Sequence, residues 1–216
     1  MRFENTSVYN IYNAILGARN PMNSWDKSDS VFKGYNGKIE NTSIGKNDLE
    51  LMQKLVKAGS EHRKFLRQIF VAVDITAPLY FFKELDTYKV GTVANSTSTM
   101  HKLASTPITI DCFEMDDFED CKDDSNVYVS AIWIESITRL EKLRQKYNAT
   151  KDKRYWKELI RLLPESWLQK RTITMNYENI LNMYRQRKNH KLTEWSKSFC
   201  DWVKTLPYAE ELICLE

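Results

Sequence analysis

The apolar run from Ile69 to Ile75 constrains the fold of this chain more than any other feature. Its residues are mostly β-branched or aromatic, and only Asp74 interrupts the apolar pattern. A strand that is apolar at successive positions is typical of a strand covered on both faces. Thr76-Ala-Pro78 follows at once, and proline near the first turn of a helix costs no hydrogen bond. The sequence therefore predicts a buried strand over 69–75 and a helix that opens at 76–78.

Helical patterns flank this strand on both sides. A short helix is expected over 10–17. A second helix is expected over 47–59, with Asn47 and Glu50 as a capping box and Gly59 at its left-handed end. The C-terminal half predicts four more helices, over 129–147, 155–163, 175–187 and 193–206. No repeat or linker divides the chain. We therefore predict an α+β fold in a single domain over 1–216, with a small sheet, packed helices and a helical C-terminal layer.

Composition disfavours several classes of protein. Apolar residues make up 42% of the chain and charged residues 28%, which is ordinary for a globular protein. The sequence has neither the apolar run of a membrane span nor the apolar stretch of a signal peptide. A net charge of +3 is too small to favour nucleic-acid binding. The cysteines form no CxxC pair, so we expect a cytoplasmic protein with reduced thiols and no zinc.

Residues 111–124 are strongly acidic, with eight Asp or Glu side chains. Their spacing does not resemble a calcium-binding loop. The segment therefore predicts a mobile, solvated loop, with a metal site as the alternative.

The segment from Thr87 to His101 is rich in hydroxyl groups. It carries seven hydroxyl side chains together with Lys89 and Asn95. Hydroxyls, amides and exposed backbone N–H groups bind phosphate well. The segment therefore predicts either a loop for a polyanionic or heteroaromatic ligand or a Ser/Thr-rich surface turn.

Cationic residues elsewhere could complete such a site. Glu61-His62 begins a polar cluster that suits an anionic ligand or a subunit contact, and a structural histidine is the alternative. Arg161 and the basic segment 185–191 could clamp a phosphate, because guanidinium has the required planar fork. They could equally satisfy the last carbonyls of their helices. The sequence contains no P-loop, no GxGxxG and no recognisable order of a catalytic triad.

The order of these pieces resembles the flavin-dependent thymidylate synthases (ThyX) over about residues 45 to 213. In that family a Glu-His pair precedes a strand, an Ala-Pro helix and the signature R-H-R-x-x-S-x-N-E-x-S-x-R. Here Glu61-His62, the strand and Ala77-Pro78 occur in that order. The signature position is taken by Thr87-Tyr88-Lys89 and Asn95-Ser96-Thr97-Ser98. The later motifs A-R-x-x-L-P, T-x-N-A-R-S-L and H-A-Q-W-E are similar to Ile160-Arg-Leu-Leu-Pro164, Thr174-Met-Asn-Tyr-Glu-Asn-Ile180 and His190-Lys-Leu-Thr-Glu194.

This resemblance implies a homotetramer that binds FAD and dUMP in sites shared between subunits. Such enzymes transfer a methylene group from methylenetetrahydrofolate to dUMP, and reduced flavin supplies the hydride. Carried over by position, the flavin contacts would be His62, Lys89, Asn176 and His190. The nucleotide contacts would be Tyr88, Asn95, Ser96, Ser98, Arg161 and Arg187, of which Ser98, Arg161 and Arg187 would be the catalytic set.

Several signature positions differ from the family pattern. Thr87 and Lys89 replace two arginines, and Glu178 replaces the arginine of N-A-R. Arginine binds phosphate through two parallel hydrogen bonds, so these replacements are not conservative. Two alternative functions are therefore consistent with the sequence. The chain is either a divergent thymidylate synthase or a non-catalytic homo-oligomer that sequesters a nucleotide signal, as a phage protein could. Binding of nucleic acid through 185–191 is disfavoured by the low net charge.

Overall fold

The computed structural model describes residues 1–35, 38–115 and 120–215. Its strands are β1 (Arg2–Tyr9), β2 (Val31–Tyr35), β3 (Lys38–Ser43), β4 (Phe70–Pro78), β5 (Val93–Ser96) and β6 (Leu168–Asn176). The helices are α1 (Ile11–Arg19), α2 (Lys46–Lys57), α3 (Leu79–Leu85), α4 (Thr99–Lys102), α5 (Val129–Thr150), α6 (Lys153–Arg161), α7 (Tyr177–Arg187), α8 (Cys200–Lys204) and α9 (Ala209–Leu212). A π-helical turn, Glu194–Phe199, leads into α8.

One small antiparallel sheet contains the strands in the order β1-β4-β6-β5. β2 and β3 form a separate antiparallel hairpin, in which Val31 lies opposite Ser43. A small sheet with many helices is the α+β class that the sequence predicts, and that prediction is confirmed.

The predicted buried strand exists as β4, but its burial differs from the prediction. Over the first half of the strand, exposed and buried residues alternate, with Phe70 44% exposed and Val71 buried. The prediction that both faces are covered is therefore wrong for this half. From Ile75 onward every residue of the strand is buried or nearly so. The helix begins at Leu79, later than predicted, because Pro78 stays extended (φ −69°, ψ 156°) as the last strand residue.

The described residues divide into two compact units. The first unit comprises Met1–Arg2, Ile75–Thr87 and Asn95–Arg171, and the second comprises Phe3–Asp74, Tyr88–Ala94 and Thr172–Glu216. The core of the first unit is built from Leu103, Ile108, Phe113, Ile137, Leu140, Leu159 and Trp167. Buried side chains of the second unit include Met52, Leu66, Tyr177, Ile180, Trp195 and Phe199. A single domain stays a prediction.

Most predicted helices are confirmed, but their ends differ. The predicted capping box of α2 is wrong, because Gly45 is the residue that precedes the helix. The carboxylate of Asp29 accepts hydrogen bonds from the backbone N–H groups of Asn47 (2.9 Å) and Asp48 (3.1 Å) instead. Gly59 has φ +107°, as its predicted position after the helix requires. The helix predicted from residue 175 begins at Tyr177, because 168–176 form the unpredicted strand β6.

The acidic segment is only partly described, since 116–119 lie outside the described residues. The Asp120 carboxylate accepts hydrogen bonds from Ser130 at the start of α5. Asp123 accepts hydrogen bonds from the backbone N–H groups of Ser125 and Val127, both at 2.9 Å. These two carboxylates therefore shape turns. Within 1–35, 38–115 and 120–215, no group of three His, Cys, Asp or Glu side chains could hold a metal ion.

The described part of the chain contains no helix that is both long and apolar enough to span a membrane.

Candidate functional site

The hydroxyl-rich segment 87–101 forms regular structure. It contains a 3₁₀ turn at Asp86–Tyr88, the strand β5 and the short helix α4. Thr87 and the part from Asn95 onward belong to the first unit, and Tyr88–Ala94 belong to the second. The predicted site residues are therefore described unit by unit.

In the first unit, Ser98 lies at the edge of a cavity of about 490 Å³. It precedes α4, and its Oγ accepts a hydrogen bond from the backbone N–H of His101 at 3.2 Å. The hydroxyl groups that line this cavity belong to Thr76, Thr97, Ser98, Thr99 and Thr106. We call it the Ser98 cavity. The predicted ligand segment thus contributes several hydroxyls to one concave surface.

The Ser98 cavity carries an excess of positive charge. Arg2, Lys102 and Lys170 line it, against the single carboxylate of Asp111. Trp167 and Leu103 add apolar surface. These cations come from β1, α4 and β6, so no local sequence motif reveals them. The cations and hydroxyls of this cavity can donate hydrogen bonds to an anionic group. The aromatic side chain can contact a planar ring of the same ligand.

One wall of this cavity is fixed by pairing between β5 and β6. The backbone N–H of Thr97 donates to the carbonyl of Lys170 at 2.9 Å. The side chain of Gln169 donates to the carbonyl of Thr97, also at 2.9 Å. Gln169, the donor of this bond, is only 9% exposed. These two hydrogen bonds therefore join the end of β5 to β6 at this wall.

Three further predicted residues of this unit lie elsewhere in it. Asn95 and Ser96 are exposed on β5 and do not line the Ser98 cavity. Arg161 is exposed at the end of α6 and donates to Glu158 at 2.5 Å, one helical turn earlier. It is also absent from the cavity lining. Their predicted contacts with nucleotide stay predictions.

In the second unit, the guanidinium group of Arg187 contacts two aromatic rings, those of Tyr88 and Trp195. Arg187 Nε donates to the hydroxyl of Tyr88 at 3.0 Å, and that hydroxyl donates to Gln186 at 2.9 Å. The guanidinium carbon lies 5.2 Å from the ring centroid of Trp195 and 5.7 Å from that of Tyr88. Cation–π contacts of this kind fix the orientation of an arginine.

The predicted flavin contacts also lie in the second unit. Asn176 precedes α7 and exchanges hydrogen bonds with Asn179 in a capping box. A Cβ on Gly91 would lie 3.1 Å from Asn176 Nδ2, so glycine (φ +80°) lets that turn approach the cap. Lys89 is exposed in the same turn, and His190 Nδ1 accepts from the backbone N–H of Leu192 at 3.2 Å.

His62 lines a separate cavity of about 530 Å³, which we call the His62 cavity. Its apolar walls come from α1, α2 and the 3₁₀ turn Arg63–Gln68. Its polar rim is formed by Asn20, Glu61, His62, Lys64 and Gln68. Asn176, Lys89 and His190 do not line it.

Glu178, which stands where the family pattern has arginine, is held by two arginines. Arg63 Nε donates to its carboxylate at 3.0 Å, and Arg67 donates to the other oxygen. Burial raises the pKa of Glu178, but the hydrogen bonds from Arg67 and Arg63 outweigh it and keep the pKa below its usual value. Two guanidinium groups against one carboxylate leave this cluster net positive. Sequence reasoning noted Glu178 only as a departure from the pattern.

Comparison with known proteins shows the fold. No protein-family model and no curated protein matches the chain. Among solved structures, flavin-dependent thymidylate synthase ThyX from Helicobacter pylori, complexed with FAD and dUMP, is similar over 100% of both chains, with a TM-score of 0.69 and 18% identity. A second structure of ThyX from the same organism, also with FAD and dUMP, covers 99% of this chain and 97% of its own, with a TM-score of 0.72 and 17% identity. The chain therefore has a ThyX-like fold, as the resemblance implied.

Proposed function

We propose that this protein binds a pyrimidine nucleotide, with dUMP as the first ligand to test, as a divergent relative of the flavin-dependent thymidylate synthases. The observation that carries the proposal is the Ser98 cavity, where hydroxyls from the signature segment share one surface with the cations of Arg2, Lys102 and Lys170. The similarity in fold to proteins complexed with FAD and dUMP supports the choice of ligand.

The chemistry of the cavity suits a nucleoside monophosphate. Lys102 and Lys170 would neutralise the phosphate, and Trp167 offers apolar surface to the base. A hydroxyl has one hydrogen to donate and two lone pairs. Because Ser98 Oγ already accepts from His101, its O–H can donate to the ligand. The cations lost from the signature are thus replaced by lysines and an arginine on other elements.

FAD is the cofactor we propose, with His62, Lys89, Asn176 and His190 as the residues that would hold it. Arg63 and Arg67, which follow His62 in the chain, share the carboxylate of Glu178 from α7, and the resulting net positive cluster would suit an anionic diphosphate despite the missing family arginine. Bound flavin would supply the hydride for methylation of dUMP to dTMP. A yellow protein as purified would support this part of the proposal.

A non-catalytic nucleotide-binding protein is the second candidate. It is favoured because two residues at signature positions, Thr87 and Tyr88, are hydrogen-bonded to other residues of the same chain. Thr87 Oγ1 donates to the carbonyl of Glu84 at 2.7 Å, and the hydroxyl of Tyr88 is bonded to Gln186 and Arg187. A colourless preparation that releases a nucleotide on denaturation would favour sequestration over catalysis.

We further propose a cytoplasmic homotetramer, since in the family that the chain resembles each site takes residues from more than one subunit. Light scattering should then give a mass near four times the 25.5 kDa chain. A monomer at micromolar concentration would count against both candidate functions.

The decisive test is calorimetric titration with dUMP. Replacing Lys170 with Gln should weaken binding by about 1.5–3 kcal/mol, the value of a charge-assisted hydrogen bond. Lys153→Gln, an exposed lysine at the start of α6 outside the cavity, is the matched control and should bind as the wild type does. Equal affinity of the Lys170 variant and the wild type would contradict the proposed site.

A further inference from the structure

Thr76, near the end of β4, has a buried hydroxyl group and lines the Ser98 cavity. The residue is only 9% exposed. In the part of the chain that the structure describes, no group forms a hydrogen bond with this hydroxyl. Gln169 and Asn176 are buried to the same degree, and each has a hydrogen-bond partner within the chain. A buried hydroxyl without a partner is unfavourable, so that of Thr76 is available to whatever occupies the cavity.

Thr76 lies opposite Lys170 in the sheet. β4 and β6 are neighbouring antiparallel strands, and at their ends the backbone N–H of Leu79 donates to the carbonyl of Trp167 at 3.1 Å. Counting three residues back along one strand and three forward along the other from this bond pairs Thr76 with Lys170. Directly opposite residues have Cβ atoms about 4.5–5.5 Å apart. Both residues line the Ser98 cavity, so a hydroxyl and an ammonium group share its floor.

Two neighbouring hydroxyl groups of the same cavity already have partners. Thr97 Oγ1 donates to the carbonyl of Lys170 and accepts from the backbone N–H of that residue, both at 3.3 Å. Ser98 Oγ accepts from the backbone N–H of His101. Within the described residues, the Thr76 hydroxyl makes neither kind of bond, so both its hydrogen and its lone pairs can serve a ligand.

An ammonium group beside a hydroxyl donor suits a tetrahedral oxyanion. Lys170 supplies the charge, and Thr76 supplies a donor of fixed direction. Arg2 and Lys102 line the same cavity against the single carboxylate of Asp111, so the net charge of the lining is positive. A hydrogen bond from the hydroxyl to a phosphate oxygen is charge-assisted and therefore stronger than one to a carbonyl of a base. A phosphate group thus satisfies both members of the pair at once.

We propose that Thr76 and Lys170 together bind the phosphate group of the ligand, and that Thr76 makes the Ser98 cavity selective for phosphorylated ligands. The inference deepens the proposed function, since it names the part of the nucleotide that the cross-strand pair holds. It rests on that function only for the source of the phosphate, which is either a nucleotide or free inorganic phosphate.

Calorimetric titration of Thr76→Val with dUMP tests the hydroxyl. Valine has nearly the shape of threonine and suits a strand, but it cannot donate a hydrogen bond. We expect dUMP to bind this variant about tenfold or more weakly, the loss of one charge-assisted hydrogen bond. Thr76→Ser keeps the hydroxyl and should retain most of the affinity. Thr174→Val, at an exposed threonine of β6 outside the cavity, is the matched control and should bind as the wild type does.

Thermal unfolding of the ligand-free proteins separates binding from a structural role. Because the hydroxyl has no partner within the described residues, a methyl group in its place should leave the melting temperature at or above that of the wild type. A structural hydroxyl predicts the opposite. A lower melting temperature for Thr76→Val that Thr76→Ser restores would overturn the inference.

Two smaller probes identify the group that the hydroxyl contacts. Deoxyuridine lacks the phosphate and should bind the wild type far more weakly than dUMP does, and equal affinity for both would overturn the inference. Inorganic phosphate, at an ionic strength matched with chloride, should raise the melting temperature of the wild type more than that of Thr76→Val.

The results distinguish this inference from the proposed function. If dUMP does not bind but phosphate stabilises the wild type more than Thr76→Val, the proposed function fails and the phosphate site stands. If Lys170→Gln weakens dUMP binding while Thr76→Val binds with the wild-type affinity, the nucleotide site stands and this inference is overturned. It is also overturned if dUMP does not bind and phosphate stabilises both proteins equally.

Discussion

Asp29 and Asp48 each accept a hydrogen bond from the backbone N–H of the other. The N–H of Asp48 donates to Asp29 Oδ1 at 3.1 Å, and the N–H of Asp29 donates to Asp48 Oδ2 at 3.2 Å. Asp29 thereby caps the N-terminus of α2. Asp48, which lies in α2, in turn holds the loop that contains Asp29. This exchange needs space at Gly45, where an added Cβ would lie 2.2 Å from Asp29 Oδ1 and 2.4 Å from Asp29 O.

Replacing Gly45 with Ala should therefore break the exchange between Asp29 and Asp48. One of the close atoms is backbone, which cannot move aside without displacing the loop. Overpacking of this kind costs about 1–3 kcal/mol, and the lost capping bonds add about 1 kcal/mol. Chemical denaturation of both proteins measures the loss. Gly17→Ala is the control, because its nearest atom is the end of the flexible Gln68 side chain, so a loss as large at Gly17 would contradict the explanation.

The residue that caps α2 could not be predicted from the sequence. Asn47 and Glu50 have the local spacing of a capping box, but the actual cap comes from Asp29, which lies 18 residues before Asn47. Local spacing cannot reveal such a partner. By contrast, β4 could be predicted, because β-branched residues in succession fit a pleated surface whatever packs on it.

The strand β6 was missed for a different reason. Its first half, Leu168 to Arg171, is polar on the whole, and only the alternation of Ile173 and Met175 with threonines carries a strand signal. The Ser98 cavity depends on this strand, since Lys170 comes from it. Sequence reasoning therefore found the hydroxyl side of the cavity and missed its cationic side.

Placing an arginine at position 178, where the ThyX pattern has one, should destabilise the protein. Glu178 supplies the carboxylate that pairs with Arg63 and Arg67 in a partly buried cluster, and arginine there would place three guanidinium groups together. Breaking a buried pair typically costs about 3–5 kcal/mol, and partial exposure of Arg67 places the expected loss at the lower end. Thermal unfolding of Glu178→Arg measures it. Unfolding at the wild-type temperature would show that the cluster contributes no stability.

Glu141 in α5 should contribute a pH-dependent part of the stability. Hydrogen bonds, first from Arg144 and then from the backbone N–H of Ile108, lower the pKa of its carboxyl from 4.5 to about 2. A group whose pKa is lower in the folded state stabilises the protein above the unfolded value and loses that effect as the pH falls. Stability should therefore fall between pH 4.5 and about 2. Urea denaturation of Glu141→Gln across this range should give a shallower fall, and an identical pH dependence would contradict the assignment.

The hydroxyl of Ser98 offers a direct test of the proposed nucleotide site. Its Oγ accepts from the backbone N–H of His101, so Ser98→Ala removes one helix-capping bond and, in the proposed site, one donor to the nucleotide. We expect dUMP affinity to fall by roughly 0.5–1.5 kcal/mol, the net value of a neutral hydrogen bond. The lost cap should lower stability by about 1 kcal/mol or less, because α4 has only four residues. Ser98→Thr keeps both the acceptor and the donor and should restore both properties. If calorimetry gives the same dUMP affinity for Ser98→Ala and the wild type while stability falls, Ser98 is only a helix cap.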